Sequence, residues 1–147
     1  MSGKSIYVRN DNYLIVRLRD GDDFFERLTA VLEEEKIRSA ILVSAVGMMR
    51  DVEIGWFGGE EYQKRTMSEP MELLSMTGSV NAKEDGSLFM HLHVVLGSSE
   101  LNTVGGHLFR ATVHQTNELV FLLPRGITLK RLTEGEGLLR LFPELKR

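Results

Sequence analysis

Residues 88–96 read LFMHLHVVL and alternate without a break. Leu88, Met90, Leu92, Val94 and Leu96 fall on one side; Phe89, His91, His93 and Val95 fall on the other. Successive side chains of a strand point to opposite faces, so this segment is a strand with one wholly apolar face. A helix would scatter the same five apolar positions around its circumference. The strand therefore demands a sheet packed on a core, and it lifts two imidazoles onto the opposite face.

The rest of the chain follows the same period. YLIVRLR at 13–19 reads as a strand, and SAILVSAVG at 39–47 as one buried on both faces, with Gly47 marking a bend. DVEIGWF alternates, with Val52, Ile54 and Trp56 on one side and Asp51 and Glu53 on the other. GGEEYQKRTM reads as a tight turn and a polar, edge-like strand. PMELLSMTGSV is a strand, and NAKEDGS a hairpin loop with Gly86 suited to its turn. SSELNTVGG reads as a loop, and HLFRATV, NELVFLL and ITLKRL as three further strands. One helix interrupts the pattern near the start. Asp20 to Asp23 supply a turn and an N-cap, and Phe24, Phe25, Leu28, Val31 and Leu32 form one apolar stripe. EEEK is its solvated end. The tail EGEGLLRLFPELKR, within 133–147, fits a short amphipathic helical turn or a flexible end that docks on a neighbour.

The expected fold is α+β: a single compact domain over 1–147, a mainly antiparallel β-sheet of roughly eight strands, and one long N-terminal helix packed on it. The length of 147 residues suits one domain with a real core. No apolar window reaches the length of a membrane span, and MSGKSIYVRN lacks the apolar stretch of a leader peptide. The expected location is the cytoplasm.

Chemistry is narrowed by what is missing. There are no cysteines, so a metal could be held only by His, Asp, Glu or backbone oxygen. The sequence has no phosphate-binding P-loop, no dinucleotide fingerprint and no serine-nucleophile elbow. A net charge of −3 disfavours a concentrated nucleic-acid-binding surface. Lys64-Arg65 and Lys130-Arg131 read as solvated strand edges, His114 as surface, and Trp56 and Phe57 as core or subunit contact rather than a stacking platform. His91 and His93 lie roughly 6.6 Å apart along their strand and can chelate one ion. His107, after the glycine pair of VGGHL, is the natural third ligand. From spacing alone, a metal site and a metal-free hydrogen-bonded cluster both stand.

MELLSMTGSV, a short polar loop, HLHVVLG and VGGHL, in that order, resemble the PPC domain (plants and prokaryotes conserved). The upstream run GDDFFERLTAVLEEEKIRSAILVSAVGMMRDVEIGWF resembles it too, so the likeness spans about residues 8–125. The resemblance implies a compact, largely antiparallel α+β domain assembled as a homotrimer, here of the stand-alone prokaryotic type. Plant members carry AT-hooks that bind DNA; this chain has no such motif, which counts against the DNA-binding or regulatory reading. At the plant partner-contact segment, Glu72 and Leu74 match, but Glu69 and Pro70 replace Gly and Arg, which weakens the case for a plant-type partner. Stand-alone members often keep three histidines, and His91, His93 and His107 match those positions. The resemblance thus favours a trimer binding a divalent metal, zinc first, with room for water or a small anion at the ion. A metal-dependent enzyme using a zinc-activated water is the alternative, with Glu72 as the first candidate for a supporting carboxylate or base. A pure assembly module, in which the histidines only pack, is the third reading.

Overall fold

The computed structural model describes residues 5–135 and 137–146. Nine strands join in one sheet, in the order β1-β2-β7-β3-β5-β8-β9, with β4 on β3 and β6 bridging β5 and β7. The strands are β1 (Ile6–Arg9), β2 (Tyr13–Arg19), β3 (Ala40–Phe57), β4 (Tyr62–Met67), β5 (Met71–Lys83), β6 (Leu88–Gly97), β7 (Thr103–Leu122), β8 (Ile127–Glu134) and β9 (Leu138–Leu145). All pairings are antiparallel except β5 with β8. Each of β3, β5, β6 and β7 pairs with two of the other three, so these four close a circuit.

The alternation of β6 is realised. Leu92, Val94 and Leu96 are buried, and they join Met76 and Val80 of β5, Leu108 and Phe121 of β7, and Leu14, Val16 and Leu18 of β2 in the core. Burying one such side chain contributes about 1.5–3 kcal/mol. The one helix, α1 (Phe24–Glu34), adds Phe24, Leu28, Val31 and Leu32, the stripe expected from its spacing. Asp23 caps it, accepting a hydrogen bond from the Glu26 backbone N–H at 2.9 Å.

The helix is short, however: 11 residues rather than a long element. Its apolar stripe ends at Leu32, and Lys36 adopts φ 55°, which turns the chain into β3. Four further expectations are corrected. SAILVSAVG is not buried on both faces: Ala40, Leu42 and Ala45 point inward, whereas Ile41, Val43 and Val46 are exposed, Val43 by 56%. The segment is the first half of an 18-residue strand that runs on through DVEIGWF. Register shifts against β7 flank Glu53, so the alternation slips there; Ile54 and Gly55 are both buried and Trp56 turns out to 67% exposure. The tail is neither helix nor loose end up to Leu145, because β9 pairs along the whole of β8. Pro143 is tolerated because β9 is an edge strand. Finally, the expected loop at 98–106 is only 98–102, and HLFRATV and NELVFLL are parts of the single strand β7.

Gly47 makes the bend that its sequence position suggested. Its φ is 139°, a Cβ there would sit 1.9 Å from the Thr116 carbonyl oxygen, and the β3–β7 register shifts beside it.

Candidate metal centre

His91 and His93 come from β6, and His107 from β7, directly opposite His93 in the ladder. Opposed residues of an antiparallel pair have Cβ atoms about 4.5–5.5 Å apart. Two residues along β6 bring His91 to the same face. The three imidazoles therefore meet on the side of the sheet opposite the core, and each offers a nitrogen within 4.8 Å of the others. The Nε2 atoms of His91 and His93 are 3.1 Å apart. Tetrahedral zinc with nitrogen ligands needs separations of about 3.4 Å, so small ring rotations suffice. All three residues belong to one chain.

Glycines allow the strands to come this close. A Cβ on Gly78 would lie 1.8 Å from the His91 carbonyl oxygen, and its φ of 143° is closed to other residues. Gly105 and Gly106 do not turn the chain. They sit in extended β7, where Cβ atoms would meet the carbonyl oxygens of Val94 and Gly55 at 2.7 and 2.8 Å.

The electrostatics favour the neutral form of His107 and His91, the form that ligates a metal. Burial, reinforced by the neighbouring His91, His93 and Lys64, holds the His107 pKa down to about 4. His91 is also pushed down, by burial first and then by Arg131 and His93. His107 Nδ1 is buried without a hydrogen-bond partner, an unmet polar atom beside the cluster.

One feature opposes the fit as it stands. Arg131 Nη2 lies 3.0 Å from His91 Nδ1. A guanidinium only donates, so Nδ1 accepts and the ring proton of His91 sits on Nε2. Ligation through Nε2 would move that proton to Nδ1, against the Arg131 donors. The donor set suits a divalent ion, and loading it requires Arg131 to give up this contact.

Arg131 was missed by sequence reasoning. It is only 7% exposed, not a solvated edge. The signal was present in ITLKRL, where Leu129 and Arg131 share the buried face at i and i+2. Lys64 and Arg65 are exposed as expected, and Lys64 Nζ lies 4.1 Å from the Phe109 ring centre. Tyr62 and Phe109 pack on His107, with ring centres 5.1 and 4.6 Å away. Glu72 is not brought to the cluster. It pairs with Gly97 and Met48, five residues along β5 from Thr77, the partner of His93, or about 16 Å at strand rise. His114 is half-buried at another site, its Nδ1 2.8 Å from Arg50 Nη1.

A nine-stranded domain with one capping helix and three convergent imidazoles on the outer face defines a narrow class. The chain belongs to the Plants and Prokaryotes Conserved (PCC) domain family, whose model matches residues 6–122. Among solved structures it is similar to a metal-containing protein from Archaeoglobus fulgidus, at 33% identity and TM-score 0.80, covering 94% of this chain and 97% of that one. It is similar to a PPC protein from Pyrococcus horikoshii at 28% identity and TM-score 0.78, covering 99% and 98%. A Ralstonia eutropha protein provisionally described as DNA-binding is 28% identical, with TM-score 0.79 and coverage of 98% and 97%. No curated protein matches the chain.

Proposed function

We propose that this protein is a homotrimeric binder of a divalent metal, zinc first, with His91, His93 and His107 as ligands. The convergence of three ligand nitrogens within 4.8 Å carries the reading. The metal-containing relative from Archaeoglobus fulgidus supports it. An all-nitrogen set suits zinc among common divalent ions, and three protein ligands leave a position open. When bound, the ion supplies Lewis acidity at that position. The chain's own contribution is to keep His91 and His107 neutral and to wall the site with Tyr62 and Phe109. Among the described residues lining the adjoining cleft none is a carboxylate, and Glu72 is remote, so binding is favoured over a hydrolytic or hydrating reaction.

The trimer is supported by Ile41, Val43, Val46, Leu74 and Val95, large apolar side chains exposed on a single chain. Monomers rarely leave extensive apolar surface in water. Light scattering on the purified protein should give three times the chain mass; a monomer would remove this part of the proposal. For the metal, elemental analysis of protein purified without an affinity tag should find zinc in near-stoichiometric amount. The His91→Ala/His93→Ala variant should lose it. Equal, sub-stoichiometric zinc in both would leave the histidines as packing alone. The DNA reading draws on the description of the Ralstonia relative and is opposed by the charge of −3. A gel shift at low salt with no retarded band would end it for this chain.

A further inference from the structure

Beside the histidines lies a cleft of about 430 Å³, between the outer face of the sheet and the β8–β9 hairpin. Its walls are Phe57, Tyr62, Phe89 and Phe109, with Leu138 and Leu139 facing them. His91, His107, Arg131 and Arg140 supply its polar groups. The volume and the balance of an apolar lining with few polar groups match a small-molecule site.

Arg131 is the unusual member. It has almost no exposure, no carboxylate pairs with it among the described residues, and its Nε is buried without an acceptor. Among the described residues its guanidinium meets His91 Nδ1 at 3.0 Å and the Phe89 ring at 5.6 Å. A buried cation without a counter-ion is costly, and this one adjoins a site that would itself hold a dication. Arg140 is different: it reaches Glu134 at 3.6 Å and is largely exposed, so its charge is already answered. The cleft therefore holds a planar, five-donor cation, aromatic walls and no negative charge among its described residues.

We propose that the cleft binds a small carboxylate with a flat apolar body. The carboxylate pairs with the Arg131 fork and reaches toward the three-histidine centre, and the body lies between the aromatic walls and Leu138–Leu139. A carboxylate fits the guanidinium fork in two parallel hydrogen bonds, which a single point charge does not reproduce. This ligand class rests on the metal reading, because occupation of His91 Nε2 is what frees Arg131 from Nδ1. The fold thereby couples the two sites: the ion and the carboxylate both require the same movement of one side chain.

The test uses the full chain loaded with cobalt(II), a spectroscopic stand-in for zinc. Cobalt uptake is followed by its visible absorption, and benzoate, acetate and inorganic phosphate are then titrated separately, with calorimetry in parallel. Benzoate should perturb the cobalt bands and bind at least 10-fold more tightly than acetate or phosphate, on the order expected for burying its ring. Arg131→Lys should keep cobalt but weaken benzoate by roughly 10- to 100-fold, the worth of a charge-assisted hydrogen bond. Leu139→Ala should weaken benzoate while leaving acetate unchanged, a control that does not disturb the buried arginine. Cobalt uptake without benzoate binding overturns the ligand class and leaves the metal reading standing. Equal binding of benzoate and acetate, or undiminished binding by Arg131→Lys, also overturns it. No cobalt uptake overturns the metal reading and the ligand class with it.

Discussion

The two faces of β6 are built to opposite rules. Leu92, Val94 and Leu96 on the inner face are buried in an apolar cluster that needs nothing from outside. His91 on the outer face meets His93, His107 and Arg131, and both of its ring nitrogens are engaged, Nε2 with His93 at 3.1 Å and Nδ1 with Arg131 at 3.0 Å. Among the described residues, His107 Nδ1 and Arg131 Nε have no hydrogen-bond partner. Buried polar atoms are nearly always paired, so two unmet ones beside the histidines are what the proposed ion and carboxylate would answer. The inner face is complete as a fold, and the outer face is incomplete as chemistry.

This contrast can be broken from the inner side first. Leu92→Ala should destabilise the protein by about 3–5 kcal/mol, read from urea unfolding, because the strand is packed and relaxes little. The molecules that remain folded should still bind zinc at the wild-type ratio. Gly78→Ala attacks the join between the faces. Its Cβ would meet the His91 carbonyl oxygen, so a loss of roughly 2–3 kcal/mol is expected, together with weakened metal binding.

Substitutions on the outer face should do the reverse. Arg131→Met removes a buried cation that has no counter-ion among the described residues, and metal-free protein should be unchanged or more stable by about 1–2 kcal/mol. A loss of several kcal/mol in the same unfolding assay would mean that Arg131 is a structural group.

The smallest effect is a pH dependence. The folded pKa values of His91 and His107 lie below the ordinary histidine value, so the unfolded chain binds protons more readily. Their contribution is fully present above about pH 6.5 and is lost as pH falls toward about 4 for His107. Asp20 and Asp85 are held below the usual carboxylate range by Arg50 and Ser87, so their contributions are lost at still lower pH. The urea midpoint of metal-free protein should decline between pH 6.5 and 4.5, and His107→Phe should flatten that decline. An unchanged slope in the variant would separate the acid sensitivity from the cluster.

Much of the inner face was legible in the sequence. Period-2 alternation identified β2 and β6, and the Phe24–Leu32 stripe with its acidic cap identified α1. The three histidines were legible because two share a strand face and the third follows a close-packing glycine pair. What failed lies where pairing overrides pattern. The slip at Glu53 that exposes Trp56 depends on the register with β7, which no single strand encodes. The β8–β9 hairpin owes its form to the ladder along β8, and the tail's clustered leucines suit a helix equally well. Arg131 reached His91 only through the parallel β5–β8 pairing, where Lys83 meets Arg131 across the ladder. The arginine side of the site was therefore hidden in topology, whereas the candidate metal ligands were not.

The central claim is that three imidazoles of one chain hold one metal ion. Zinc-edge X-ray absorption on the loaded protein tests it most directly. The account predicts three imidazole nitrogens at about 2.0–2.1 Å with one oxygen ligand completing the shell, and the loss of one imidazole signal in His93→Ala. A shell made of oxygen alone, or an imidazole count unchanged in His93→Ala, would contradict it.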